Sequence, residues 1–380
     1  MSNKKRILFI MPQYEIGGIT VSLYSLLSKI DPKRIQADVF AAPTGPYKGK
    51  MPNCTELPQN TWLSYPYIGG NALIKVFQTV VYGLRYALSK LHINTFPLLY
   101  WIGGKSLHTD NYDAVVCFSE GMAYMVSSFP AKKKIQWIHC DYRRHLETNN
   151  PKFERYAYER YDTVICVSNF VQGVFSEIYP EFANKTVTIH NLINTEDIKA
   201  KAKEDKDLDN RFKTDAFTIV SCGRLDPIKG FNKIPALANQ VKSLTNKPFR
   251  WYIIGGGFSE EQNKIEAEIK KYHQEDTVIL LGPKANAYPY IAKTDLYICT
   301  SESESFPLVV NEAKALSVPI ISNNFPSVYE SVEEGVDGYV VSLDAMPEKI
   351  AAFMAKPLKV PAGRIDNTES LNSIYKLFEA

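Results

Sequence analysis

The chain has 380 residues, more than one ordinary α/β core holds, so two domains are expected. Hydrophobic residues make up 45% and charged residues 22%. These values exclude a disordered or low-complexity protein. The net charge of +3 is near neutral for this size and excludes binding driven by a strongly basic surface, so no nucleic-acid partner is expected.

In chain order, MSNKKRILFIMPQY has a charged start, but its apolar run spans only Ile7 to Met11. That is too short for a signal-peptide core and reads as a first strand. Further apolar runs at 38–42, 114–118, 134–139, 163–167 and 186–190 read as strands. Helical patterns at 17–30 and 170–179 lie among them. Residues 72–91 form an apolar stretch broken by Lys75, Gln78, Arg85 and Lys90, which predicts an amphipathic helix rather than a membrane span of about 20 apolar residues. The segment 194–216 is charged and nearly free of large apolar residues, so it reads as a linker region. Its Asp207-Leu-Asp209 reads as a solvated charged face rather than a metal site.

A second series follows, with strands at 217–222, 250–255, 277–282, 296–301, 319–322 and 338–342 and helices at 231–245, 259–273 and 307–317. Continuous apolar strands alternating with helices predict doubly wound parallel sheets. The expected domains are 1–193 and 194–360, with 361–380 a C-terminal helix packing back on the first domain. The six cysteines form no CxxC pair and read as buried free thiols.

Four constellations carry candidate chemistry. In TSESESFPLVVNEA (300–313), a strand runs into a polar turn and then a helix near Pro307. Ligands of open α/β sheets bind at strand carboxyl ends, and a helix N-terminus favours phosphate. Glu304 and Glu312 there suit hydrogen bonds to sugar or ribose hydroxyls. They equally suit helix capping or an ion pair with Lys314. In SCGRLDPIKGF (221–231), Arg224 and Lys229 suit the oxygens of a departing diphosphate, or are surface charges with Asp226 as a local partner. Gly17-Gly18 after the first strand allows close approach of backbone to a ligand, a weak signal alone. Gly255-Gly256-Gly257 does not complete a nicotinamide-binding fingerprint. His139 ends a strand and is either a sugar-binding imidazole or a structural residue.

In this order the motifs resemble the retaining glycosyltransferases of the GT-B fold, glycosyltransferase family 4. The resemblance rests on Gly17-Gly18, on His139, on Gly223-Arg224-Leu225 with Lys229-Gly230, and on Ser301, Glu304, Phe306, Leu308, Val309 and Glu312-Ala313. It implies two Rossmann-like domains facing a cleft and transfer of a hexose or N-acetylhexosamine from a nucleotide-diphosphate sugar, UDP by preference. Arg224 and Lys229 would hold the diphosphate, Glu312 the ribose, and Glu304 and His139 the transferred sugar. Gly17, Gly18, Gly282, Ser305, Phe306, Pro307 and Leu308 would complete the nucleotide-sugar site. No metal or other cofactor is implied. Pro307 and Ser317 depart from the family's glycines, as does Asn323-Asn324-Phe325-Pro326-Ser327.

The implied acceptor is a glycan or lipid-linked sugar in surface polysaccharide or glycoconjugate biosynthesis. The implied location is the cytoplasm, with a peripheral place on the membrane's inner face as an extension. Residues 44–107 carry Trp62, Tyr65, Tyr67, Tyr82, Tyr86, Tyr100 and Trp101 among several lysines and arginines. They read either as a surface for anionic membrane or as packing on the first sheet. The competing functions are a catalytically inactive sugar-nucleotide-binding partner and a GT-B-fold epimerase. A phosphorylase is disfavoured by chain length and the lack of an evident pyridoxal lysine.

Overall fold

A computed structural model of the protein describes residues 4–58, 76, 79–80, 96–204 and 208–379. The chain divides into two compact units, one of residues 1–192 with 368–380, the other of residues 193–367. The expected amphipathic helix at 72–91 lies outside the described residues except at Val76, Thr79 and Val80, as do the aromatic residues from Trp62 to Tyr86. No helix among the described residues is long and apolar enough to cross a membrane.

The first unit is built on a seven-stranded parallel sheet. Its strands are β1 (Lys5–Gln13), β2 (Ile35–Ala42), β3 (Cys54–Glu56), β4 (Ala114–Cys117), β5 (Lys134–Ile138), β6 (Thr163–Cys166) and β7 (Thr186–Thr188). The order β3-β2-β1-β4-β5-β6-β7 reverses direction between β1 and β4. Ile7 through Met11 are wholly buried, as a sheet covered on both faces requires. The helix α1 (Gly18–Lys29) follows β1, and later helices start at side-chain caps. Asp141 accepts from Arg143 N–H at α2 (Tyr142–Thr148), Asn150 from Lys152 N–H at α3 (Pro151–Tyr158), and Ser168 from Val171 N–H at α4 (Asn169–Ile178). The short edge strand β3 escaped sequence prediction, because three residues carry no periodicity.

The second unit has a six-stranded parallel sheet in the order β10-β9-β8-β11-β12-β13. The strands are β8 (Phe217–Cys222), β9 (Phe249–Ile254), β10 (Val278–Gly282), β11 (Leu296–Cys299), β12 (Ile320–Asn323) and β13 (Gly338–Val341). Alternate strand residues feed two cores. Ile219, Trp251, Ile253 and Ile298 enter one, while Val220, Tyr252, Ile254 and Tyr297 enter the other. Here the order reverses between β8 and β11, the crevice where open α/β sheets bind ligands.

The linker expectation for 194–216 fails. Its few apolar residues are enough to fasten it to the second unit. Asn194 caps the helix α5 (Thr195–Lys201), and Ile198 is buried with Ile193 and Ala315. Phe212 packs on Tyr252 and Tyr290 at ring distances of 4.8 and 5.0 Å. Asp209 is not a solvated charge either. Its carboxylate sits 2.7 Å from both Arg211 and Lys284, which hold it well below the usual carboxylate range. Asp207 lies outside the described residues. The expected C-terminal helix begins at Thr368 rather than 361. Residues 361–367 belong to the second unit, where Arg364 pairs with Asp337 and Asn367 bonds both N–H and C=O of Ile193.

Candidate active site

The loops after β8 and β11 meet at the reversal point of the second sheet. Residues 227–229 make one turn of 3-10 helix, started by Asp226 accepting from Ile228 N–H and ended by Gly230 at φ 64°. A Cβ on Gly230 would lie 2.6 Å from the Thr300 carbonyl oxygen, so this position needs glycine on both counts. The approach lets Thr300 Oγ1 donate to the Lys229 carbonyl at 2.7 Å and Glu302 N–H donate to the Ile228 carbonyl at 2.8 Å. The two loops are thereby fixed to each other by backbone.

That zipper brings Lys229 to Glu304. Lys229 Nζ lies 2.5 Å from Glu304 Oε1, and Ser301 Oγ donates to the same oxygen at 2.6 Å. Both side chains of the pair are largely buried, at 22% and 17% exposure. Burial pulls the Lys229 ammonium down, but the charge and hydrogen bond of Glu304 outweigh it and leave it above the ordinary lysine value. A cation and a carboxylate suited to phosphate and hydroxyl thus neutralise each other at this crevice.

Glu312 lies in α8, the helix Leu308–Ala315; helices α6 (Ile234–Leu244) and α7 (Ser259–Lys271) precede it. It is 9% exposed and accepts a hydrogen bond from Tyr288 OH at 3.1 Å. Burial pushes its carboxyl up to about 7, against the opposing pull of Tyr288, Lys201 and Lys229. The capping and Lys314 alternatives are both excluded. Lys314 pairs with Asp337 at 3.0 Å, and Glu304 bonds Lys229 and Ser301 instead of capping the helix.

Arg224 stands apart from this cluster. Its side chain is 67% exposed and donates to Asp226 at 2.9 Å, the local partner anticipated from sequence. Its stem runs along Gly257, where a Cβ would meet Arg224 Cγ at 3.0 Å. Gly255 is needed because a Cβ there would lie 1.8 Å from the Gly223 carbonyl oxygen. The glycine run at 255–257 therefore serves close passage of two loops. Gly282 ends β10 at φ 74°, and Arg211 donates to the carbonyls of Leu280 and Leu281 beside it. Ser305, Phe306 and Pro307 form the turn into α8. Phe306 and Leu308 pack on Ile193, Ile198 and Ala315, with Pro307 at the cap position.

In the first unit, Gly17 caps α1 in an extended conformation, and a Cβ there would meet nothing within 4 Å. Neither backbone nor packing demands glycine, so the open space before it is available to a ligand. Gly18 opens the helix. His139 follows β5, with its ring 4.7 Å from Phe118 and stacked at 10° on Trp137. Its Nε2 is buried without a hydrogen-bond partner. Burial holds its pKa down at about 4 despite nearby Glu120, so the imidazole is neutral at physiological pH.

Sequence reasoning missed Tyr288, Asn323 and Ser327. Ser327 Oγ donates to the Glu304 carbonyl at 2.6 Å, and Asn323 Nδ2 donates to the Ser301 carbonyl at 2.9 Å. For Asn323 and Ser327 the signal was that polar residues stand where the resemblance expected glycines, and for Tyr288 there was none. Among the described residues, no three His, Cys, Asp or Glu side chains gather as a metal-binding group.

Two Rossmann-like parallel-sheet units in one chain define the GT-B fold class. The model of the family glycosyl transferases group 1 matches residues 202–369. The N-acetylgalactosamine-N,N'-diacetylbacillosaminyl-diphospho-undecaprenol 4-alpha-N-acetylgalactosaminyltransferase of Campylobacter jejuni is 32% identical over 38% of this chain and 36% of its own. The N-acetyl-alpha-D-glucosaminyl L-malate synthase of Bacillus anthracis is 29% identical over 49% of this chain and 48% of its own. The chain thus spans about half the length, or less, of these curated relatives. The crystal structure of Anabaena HepE in complex with UDP superposes with a TM-score of 0.71 at 18% identity, covering 98% of this chain and 99% of that one.

Proposed function

We propose that the protein is a retaining glycosyltransferase that moves a hexose or N-acetylhexosamine from a UDP-sugar to a glycan or lipid-linked acceptor in polysaccharide or glycoconjugate assembly. The observation that carries this reading is the meeting of Lys229, Ser301 and Glu304 at the sheet-reversal point, inside the segment matched by the family. In the reaction, the bond between the anomeric carbon and the diphosphate oxygen breaks and a bond to the acceptor hydroxyl oxygen forms. The acceptor proton passes to the departing phosphate on the same face. Lys229, joined by Arg224, neutralises the charge growing on that phosphate. Glu304 grips hydroxyls of the transferred sugar, and Glu312 those of the ribose. Retention is supported by both curated relatives being named for alpha-linked groups, and UDP by its presence in the Anabaena structure. Such chemistry needs no metal, since the basic side chains supply the positive charge.

In the first unit the neutral His139 imidazole suits a hydrogen bond to a sugar hydroxyl, and the Gly17-Gly18 loop suits acceptor or phosphate. A cytoplasmic place, peripheral at an anionic membrane, fits a lipid-linked acceptor. Leu98 and Trp101, at 61% and 46% exposure, with Lys105 beside Trp101, support that extension. The test is release of nucleoside diphosphate from a panel of UDP-, GDP- and ADP-sugars with glycan and lipid-linked acceptors. Turnover with one donor that vanishes in Glu304→Ala is expected. Binding of a donor without release in any acceptor context would instead make the protein an inactive partner.

A further inference from the structure

The geometry points to Ser327 and Asn323 as positioning residues that hold the Glu304 carboxylate where it grips the transferred sugar. This inference rests on the donor-site reading above and extends it to a third loop. The turn 301–304 is held on one side by the loop after β8, through the Glu302-to-Ile228 and Thr300-to-Lys229 hydrogen bonds. Its other side is held by the end of β12 and the turn beyond it. Asn323 Nδ2 donates to the Ser301 carbonyl, and Ser327 Oγ donates to the Glu304 carbonyl. Ser327 is wholly buried and Asn323 is 8% exposed, so neither donor has water as an alternative partner.

These bonds fix both ends of a four-residue turn whose side chains do the chemistry. Within the turn, Ser301 Oγ and Lys229 Nζ both reach Glu304 Oε1, leaving neither of them on Oε2. A carboxylate pinned by its main chain from one loop and by one oxygen from another keeps its second oxygen for a sugar hydroxyl. Glycines at 323–327 would supply no side-chain donor, so this chain replaces backbone compactness with two oriented hydrogen bonds. Loss of one allows the turn to drift, and displacements near 1 Å cost roughly 100-fold in rate at a reacting centre.

The experiment compares wild type, Ser327→Ala, Asn323→Ala, Asn323→Asp and Glu304→Ala in the full chain. Hydrogen exchange of the 301–306 amides is expected to quicken about tenfold in Ser327→Ala and Asn323→Ala, with the rest of the second unit unchanged. Unchanged exchange at 301–306 overturns the clamp, whether or not the protein is a transferase. With the donor that turns over, kcat is expected to fall at least about tenfold in both alanine variants, while UDP affinity by calorimetry stays within about twofold. Asn323→Asp, which lacks the amide donor, is expected to behave like the alanine variant. If UDP affinity falls as far as kcat, the two residues merely support the fold and the positioning role is rejected. If Glu304→Ala keeps full turnover while the exchange result holds, the donor-site reading fails and the clamp alone stands.

Discussion

At the scale of single residues, burial displaces one carboxyl of the site from its solution behaviour. The residue is Glu312. Its carboxyl, raised to about 7 by burial, binds its proton more tightly folded than unfolded. The stabilising effect of that proton is therefore full below the ordinary carboxylate value and disappears as pH rises through about 7. The ribose binding proposed for Glu312 has the opposite sign, because an ionised carboxylate accepts hydroxyl hydrogens best. Wild type and Glu312→Gln should be equally stable at pH 4 in denaturant titration of the full chain. At pH 8 the glutamine variant should be more stable, by up to on the order of 3 kcal/mol. UDP affinity should rise across pH 6 to 8 in wild type and show no such rise in the variant. Tyr288→Phe removes a hydrogen bond to the ionised form, so it should move the wild-type midpoint to higher pH. Lys229→Met leaves the Glu304 carboxylate in its mostly buried place without a cation. It should lower unfolding stability by about 1–3 kcal/mol and abolish nucleoside diphosphate release, measured by denaturation and by product assay.

At the scale of elements, the position of Lys229 depends on Gly230 more than on its own side chain. Gly230→Ala would force a Cβ into a left-handed turn 2.6 Å from the Thr300 carbonyl oxygen. Loss of more than about 1 kcal/mol is expected, with separation of the two loops visible as faster exchange at the Glu302 amide. Such a glycine was legible in the sequence, and so were the strands. Ile7–Met11 is apolar throughout and Phe217–Cys222 is broken only by Thr218 and Ser221, since a parallel sheet buried on both faces demands it. The meeting of Glu304 with Lys229 was legible only as two motifs at strand ends, because 75 residues separate them and only the strand order β8-β11 joins them. Ion pairing of Asp209 with Lys284 was illegible for the same reason. Local composition misled at 194–216, where Ile198 and Phe212 outweigh the surrounding charges by packing on distant rings. Ser327 was hidden differently, since a small polar residue announces nothing until its carbonyl partner is known.

At the scale of the molecule, the chain leaves its first unit at Leu192 and returns to it at Thr368. The last helix, α10 (Thr368–Glu379), follows α9 (Met346–Ala355) in sequence but completes the sheet unit begined by β1. Its Tyr375 hydroxyl accepts from Asp31 N–H at 2.7 Å, while the Arg34 guanidinium lies 3.5 Å over the Tyr375 ring. Arg34 also donates to Glu379 through Nε and Nη2, each at 2.8 Å, and Lys133 Nζ donates to the Leu377 carbonyl at 2.7 Å. Phe378 packs edge-on against Phe9 at 6.0 Å, placing the helix against β1. Ile374, Tyr375 and Phe378 are nearly inaccessible to solvent, so removing residues 368–380 uncovers apolar surface in the first unit. Truncation should lower the stability of that unit by at least about 3 kcal/mol, the scale of losing one large buried side chain. The second unit keeps its closing contacts, because Ile193 is bonded on both sides by Asn367, which the truncation spares. Calorimetry of the truncated chain should therefore show the first unit's transition moving down while the second unit's stays, and the UDP binding proposed at Lys229 and Glu312 should survive. A common downward shift of both transitions would mean that the helix stabilises the second unit as well as the first.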